Sequence, residues 1–488
     1  MANITAGIME KSKKMEQKTR KRKNIAGKLI TVVQLILSVI LLFLVGNSGM
    51  LPGIYLALLG GGMFFLFAVT FFLQYIQNGV RFAGIVFSIL ISAALILGMF
   101  YFLKVQRAMG EVGGATYKTD NMVVVVKADD SAETLQDAAN YRFGYQTGTD
   151  QKNNDLMLED MKNTAGRELK LIEYDNVTDL ANALLAGEVE AAVYNQAFDG
   201  IIEENIEGYQ DQVKILYQYG IQTELQQEET SVEGPFHVYI SGIDVAGEIS
   251  TNSRSDVNII MTVNPTTKKI LLTTTPRDFY VTIPGISGDQ RDKLTHAGIY
   301  GVDASMATLE QLYGIDISYY ARVNFTSLIT IVDALGGVDV ESEYAFTARG
   351  HEFVQGTNHL DGEAALAFAR ERYSFEEGDN QRGRNQEAVL TAILKKAMSP
   401  AILTSADQIL TEVGDCVETN MTRDEMARFI NMQLNDGASW SIESTAAAGT
   451  GDSQPCYSSG SQLLYVMWPD DAIVADISRK MAQVMEEE

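Results

Sequence analysis

Cysteine and histidine are scarce. Two cysteines in 488 residues exclude a disulfide-dense scaffold and any four-cysteine zinc site. The four histidines, His237, His296, His351 and His359, nowhere fall at the spacing of a zinc-protease helix. Basic charge is also short. A formal net charge of −25 argues against broad electrostatic binding to nucleic acid, which needs a basic surface.

The little basic charge there is sits unevenly. Residues 1–28 hold nine Lys or Arg against Glu10 and Glu16, a net +7 that leaves −32 for the rest. Three nearly charge-free stretches follow, at 29–46, 54–76 and 82–103. Each is close to the ~20 apolar residues that cross a bilayer. Three such runs with short loops are not buried core helices, and no small-residue cleavage site marks a signal peptide. Positive residues stay in the cytoplasm. The expected order is therefore a cytoplasmic tail (1–28), a three-span membrane anchor (29–104) and an extracytoplasmic body.

The first part of that body, 120–228, alternates strand-like and helical runs, the pattern of a small α/β module. "MVVVVKADD" reads as a strand, "RFGYQTGTDQKNN" as a loop, "LMLEDMKNTAG" as a helix and "LKLIEYD" as a strand. "VTDLANALLAGEVEAAVYN" reads as helix, turn, strand. It shows no catalytic cluster. A ligand site, a spacer and a docking domain are all open readings. The polar run 222–234 reads as a linker.

Chemistry gathers in 235–400. "FHVYISGIDVAGEISTNSRSDVNIIMTVNP" reads as two strands that bring Asp244 and Asp256 to one sheet end. Such a pair suits a hard cation, although Asp also commonly caps turns. "KILLTTTPRDFYVTIPG" is a strand stopped by Thr-Pro, with Arg277 and Asp278 at its end, where open α/β sheets hold ligands. On a strand these two would point opposite ways, so a mutual ion pair is not expected. Lys293 and His296 precede a helix with Met306, Leu309 and Leu312 at three-residue steps. His296 is a minor candidate. The apolar run 317–340 reads as core, with part of it available to line a lipid tunnel.

"FARERYSFEEGDNQRGRNQ" (368–386) carries Arg370, Arg372, Arg382 and Arg384. Asp361 is placed to cap the helix before it. Arg370 and Arg372 close that helix, where cations complement the dipole. Arg382 and Arg384 open the next, where cations are unfavoured unless an anion offsets them. Arginine's planar fork grips phosphate oxygens in pairs. Arginines beside a carboxylate-held metal suit a pyrophosphate.

In this order, "GID" (242–244), "RSD" (254–256), "PRD" (276–278), "THA" (295–297), "LGGVDV" (335–340), "DGEAALAFARER" (361–372) and "GDNQRGRNQ" (378–386) resemble the LytR–CpsA–Psr family of wall-polymer ligases. The spans and accessory module look like its capsule-type branch. The resemblance implies an α/β fold with a central sheet flanked by helices, and an apolar pocket for a polyprenyl chain. It implies a magnesium- or manganese-dependent phosphotransferase in a Gram-positive-type envelope. A capsular or other wall glycan would move from undecaprenyl pyrophosphate to a peptidoglycan hydroxyl, forming a phosphodiester, with capsule-assembly proteins as partners. Carried over by position, Asp244 and Asp256 would hold the metal. Arg254, Arg277, Arg370, Arg372, Arg382 and Gln386 would grip the pyrophosphate, and Asp278 is the candidate base. Val245–Ala246 depart from the family's polar or basic residue after "GID". Rival readings are a pyrophosphatase, a lipid-linked glycan binding or regulatory protein, and a transcription regulator.

The remainder, 401–488, reads as a helical extension of the catalytic domain with a short edge strand at 440–449. "TRDE" (422–425) is a capping-box pattern. Cys416 and Cys456, if paired outside the membrane, would add on the order of 4 kcal/mol; free thiols are the other reading.

Overall fold

The computed structural model describes residues 2–76, 78–113, 117–224, 234–243, 251–376, 378–398 and 417–487. Chain contacts divide it into two units. The first holds residues 1–110 together with 423–438. Its helices α1 (Ala2–Asn47), α2 (Gly53–Leu73) and α3 (Asn78–Val112) contain three spans long and apolar enough to cross a membrane, Ile25–Asn47, Gly53–Leu73 and Gly79–Gly110. Within them Gln34 is fully buried. Its Oε1 accepts from Thr70 Oγ1 at 3.0 Å and Ser88 Oγ at 2.6 Å, one bond from each of two other helices. Such bonds hold spans together where lipid offers no hydrophobic drive. The helix Arg423–Asp436 belongs to this unit: Ala427 packs on Met50 and Met109, and Asn431 Nδ2 donates to Gly49 O at 2.8 Å.

The second unit, 111–422 with 439–488, carries two sheets. The first contains β1 (Tyr117–Lys127), β2 (Arg142–Gln146), β3 (Lys170–Tyr174), β4 (Ala191–Asn195) and β5 (Val213–Glu224) in the order β3-β2-β4-β1-β5. Helices α4 (Gln151–Ala165) and α5 (Val177–Ala186) cross between its parallel strands, and α6 (Asp199–Asn205) and α7 (Tyr209–Gln212) lead into β5. Both faces are covered. Val123 and Val125 point into one core, Met122, Val124 and Val126 into the other, as strand alternation requires. The stretch read as a loop at 142–154 is strand to Gln146 and helix from Gln151. Burial of Phe143 and parallel pairing on both sides override its weak local signal. The first residues of the expected linker, up to Glu224, belong to β5, paired along β1.

The second sheet has the order β16-β11-β6-β7-β8-β17. Its strands are β6 (Phe236–Ile243), β7 (Ser255–Asn264), β8 (Lys269–Thr274), β11 (Tyr319–Asn324), β16 (Val417–Thr419) and β17 (Ser441–Ala446). Two short strands, β9 (Tyr280–Thr282) and β10 (Arg291–Lys293), pair with each other, as do β12 (Val338–Ser342) with β15 (Gly356–Leu360) and β13 (Phe346–Ala348) with β14 (His351–Phe353). Helices α8 (Leu294–Ala297) and α9 (Val302–Tyr313) follow β10; α10 (Phe325–Ala334), α11 (Gly362–Arg370) and α12 (Asp379–Ala397) come after β11. The helix start read at Asp361 is there: its Oδ1 accepts from Ala364 N at 2.9 Å. Gly336 and Gly337, at φ 72° and 81°, end α10 in the left-handed region that glycine tolerates. The run 317–340 closes into core: Ile317, Tyr320, Val332, Leu335, Val338 and Val340 are all buried.

The tail is more than a helical extension. β17 is the edge strand read from the sequence, parallel to β8. A hairpin follows, Gly449–Pro455 with Leu463–Pro469, and then the helix Asp471–Glu486. Half-buried strands with Gly and Ser lack the apolar alternation that marks strands in sequence. Cys456 is buried and carries no disulfide, and burial raises its thiol well above the ordinary range. Cys416 lies outside the described residues.

Candidate active site

β7 and β8 run antiparallel, so the start of one lies beside the end of the other. Asp256, second in β7, thereby meets Arg277, three residues past β8. Arg277 Nη1 donates to Asp256 Oδ1 at 2.8 Å, and Thr295 Oγ1 donates to the same oxygen at 3.1 Å. Both charged side chains are only 16% exposed. A charge-assisted bond at that depth fixes the guanidinium. Arg277 and Asp278 lie in a turn, not on a strand. They form a loose pair after all, with Nε and Oδ2 3.8 Å apart.

Two cavities share the Arg277 wall. The smaller, about 20 Å³, is lined by Asp256 and Arg277 with Arg382, Gly383 and Gln386 from the first turns of α12. The larger, about 530 Å³, is lined by Glu204, Arg277, Asp278, Lys293 and Arg372, with Leu463, Leu464 and Tyr465 from the hairpin. Arg372 Nη2 donates to Tyr373 OH at 2.6 Å, and its guanidinium stacks on that ring. Lys293 Nζ bridges Glu204 Oε2 at 3.1 Å and Asp278 Oδ1 at 3.4 Å. The latter oxygen makes no hydrogen bond among the described residues.

The expected residues thus fall into groups. Asp256, Arg277, Arg382 and Gln386 meet at the small cavity; Arg277, Asp278 and Arg372 face the larger one. Arg254 lines neither: its Nη1 donates to Glu204 Oε1 at 2.7 Å and to Gly200 O at 3.4 Å. Arg370 ends α11, half-buried, and also lines neither. Arg384 donates to Glu343 Oε2 at 3.2 Å and to Gln381 Oε1 at 2.9 Å. Asp244 lies outside the described residues; β6, which it follows, ends paired with the start of β7. His296 is sealed in the interior. Its Nδ1 lies 2.6 Å from Asp292 Oδ1 and 2.9 Å from Ser458 Oγ. One ring nitrogen faces both partners, so the trio is no proton relay.

Among the described residues no three His, Cys, Asp or Glu gather as a metal site. Magnesium needs only one or two carboxylates, completing its shell with water and phosphate oxygens. Asp256 carries both its hydrogen bonds on Oδ1, and a carboxylate of that kind fits such a shell. Two carboxyls nearby are shifted. Burial raises Glu204, but Lys293, His296 and Arg254 outweigh it and hold the carboxyl below its usual range. Burial raises Glu387 to about 7 against the hydrogen bonds of Thr274. Glu204 escaped the sequence reading: it lies on a short helix of the accessory module, with no motif around it.

A family model described as "LytR_cpsA_psr family" matches residues 203–468. The chain belongs to the LytR_cpsA_psr family. One relative is "Polyisoprenyl-teichoic acid--peptidoglycan teichoic acid transferase TagU" of Bacillus mycoides, 40% identical over 202 residues. The match covers 41% of this chain and 64% of that relative. A Bacillus anthracis protein of the same description is 38% identical over 209 residues, 43% of this chain and 67% of its own length. Among solved structures, Bacillus subtilis TagV is similar over 53% of this chain and 100% of its own, with 24% identity and a TM-score of 0.45. The matched region of the LytR_cpsA_psr family begins within α6, so it takes in Glu204 as well as the second sheet.

Proposed function

We propose that this family member is a membrane-anchored phosphotransferase that moves a glycopolymer from a polyprenyl diphosphate, of the undecaprenyl type, to a peptidoglycan hydroxyl. The observation that carries the reading is the shared Arg277 wall. One half-buried guanidinium, fixed by Asp256, fronts both a small cavity with Arg382 and Gln386 and a large pocket with Arg372. A diphosphate has two anionic groups, and two adjoining arginine-lined cavities suit it. The relatives' transferase description supports the same chemistry.

In the reaction the acceptor oxygen bonds to the phosphorus that carries the glycan. The bond from that phosphorus to the bridging oxygen breaks, and polyprenyl phosphate leaves with the electron pair. Arg277, Arg372 and Arg382 bind the phosphoryl oxygens and offset the charge that builds there, as positioned cations do in other phosphoryl transfers. Asp278 lines the pocket, its Oδ1 buried 3.4 Å from Lys293 Nζ, and as the candidate base it takes the acceptor's proton. Asp256 and Asp244 would hold magnesium, which supplies positive charge to the diphosphate. The anchor would set the N-terminus in the cytoplasm and the site outside, and the polymer would be a capsular or related wall glycan.

The test is reconstitution of the full chain in lipid nanodiscs with magnesium, a short polyprenyl-diphosphate glycan and peptidoglycan fragments, read by mass spectrometry. A glycan–phosphate–peptidoglycan adduct that disappears in Arg277→Ala is expected. Free glycan phosphate with acceptor present would make the protein a pyrophosphatase. Donor binding without turnover would make it a binding protein.

A further inference from the structure

Glu204 and its neighbour Asn205 are the two residues of the large pocket's wall that come from the accessory module. Glu204, in the last turn of α6, sets its carboxylate among three cations. Oε1 lies 2.7 Å from Arg254 Nη1 and 3.8 Å from Arg277 Nη2, and Oε2 lies 3.1 Å from Lys293 Nζ. The arrangement is built, not incidental. The Arg254 guanidinium lies directly over Gly200, one turn earlier on α6, where a Cβ would collide with it. Arg254 also donates to the Gly200 carbonyl. The accessory helix therefore supplies a bare backbone surface, a carbonyl and a carboxylate to one arginine of the catalytic domain. Lys293 is 5% exposed and Arg254 18%, so these charges need an anion close by. Asp278 and Asp256 serve Lys293 and Arg277 in part, but Arg254 has Glu204 alone as its acidic partner among the described ion pairs.

We infer that Glu204 is a placeholder anion: its carboxylate, braced from behind by Arg254, holds the pocket-lining cations Lys293 and Arg277 until a diphosphate takes them. The inference rests on the diphosphate reading above and deepens it. A phosphate entering the pocket wall beside Glu204 meets a like charge a few ångströms away, held ionised by its cations. Binding then requires either repulsion or exchange of partners. Exchange is the lower route, because the incoming group offers the same cations more oxygens and more charge. The accessory module thereby becomes part of the donor site and sets how tightly the site holds its ligand.

Calorimetry on the full chain in detergent, with inorganic pyrophosphate in one arm and geranylgeranyl diphosphate in the other, tests this. Glu204→Gln is expected to bind both probes about tenfold tighter, while Glu204→Asp, which keeps the charge, stays near wild type. A structural role alone would weaken both variants. In the unaltered chain, amide exchange over Ile201–Asn205 is expected to rise when pyrophosphate binds, which holds whether or not the variants fold. Equal or weaker binding by Glu204→Gln with unchanged exchange in the unaltered chain overturns the inference. If wild type binds and Arg277→Ala does not, that result leaves the diphosphate reading standing. If neither wild type nor Glu204→Gln binds either probe, both readings fall.

Discussion

Two charged clusters begin at adjacent residues and end differently. Asp292 turns inward to His296 and Ser458, all three buried. Lys293 turns the other way, to Glu204 and Asp278 on the wall of the large pocket. The inner cluster lies in a closed core, where Asp292 accepts from Lys293 N and Ser458 N and faces His296 Nδ1, with no cavity beside it for a ligand among the described residues. The outer cluster gathers more charges and borders open volume, so its partners can be exchanged. Charge alone does not mark a site; charge beside a cavity does.

Substitutions should separate the two clusters. The largest effect is expected from Arg277→Ala, because the residue serves both cavities. Turnover of the folded fraction should fall by about 100- to 1,000-fold, the usual cost of removing one preorganised charge-stabilising group, beyond any loss of stability from leaving Asp256 without its partner. Asp292→Ala should do the reverse. Breaking a buried pair costs about 3–5 kcal/mol, so the melting temperature drops while KM of the folded fraction holds. A calorimetric scan beside a rate assay checks both. If Asp292→Ala instead changed KM at constant stability, the division between clusters would fail.

Glu387 sharpens the contrast through pH. It is buried beside Thr274, and burial lifts its carboxyl from 4.5 to about 7. Its folded-state value is above the unfolded one, so the folded chain keeps a proton that the unfolded chain has lost. Stability should therefore fall as pH rises from about 4.5 to about 7 and level off above that. Glu387→Gln should flatten this slope in melts taken across the window. The smallest effect belongs to the anchor. Thr70→Val removes one bond to Gln34, and bonds between spans average about 0.6 kcal/mol. Unfolding of the full chain in micelles should register only that much.

Much of this was legible in sequence, where the signal was local. Long apolar runs marked the spans, Asp361 marked a helix start, and Thr-Pro placed Arg277 at a strand end. What was missed depends on distant partners. Arg142–Gln146 is a strand because β3 and β4 flank it, not because its residues insist on it. The Arg277–Asp278 pair forms because Pro276 ends the strand and the turn puts both side chains on one side. Glu204 stands 50 residues before Arg254 and 89 before Lys293, a separation over which no spacing rule operates.

The central claim is that the cavities joined by Arg277 hold a diphosphate. Arginine footprinting of the full chain with phenylglyoxal, followed by peptide mass spectrometry, tests it most directly. With geranylgeranyl diphosphate present, Arg277, Arg372 and Arg382 should all be protected, while the outlying pair partner Arg142 keeps its reactivity. Protection absent from all three, or spread equally to Arg142, would contradict the account.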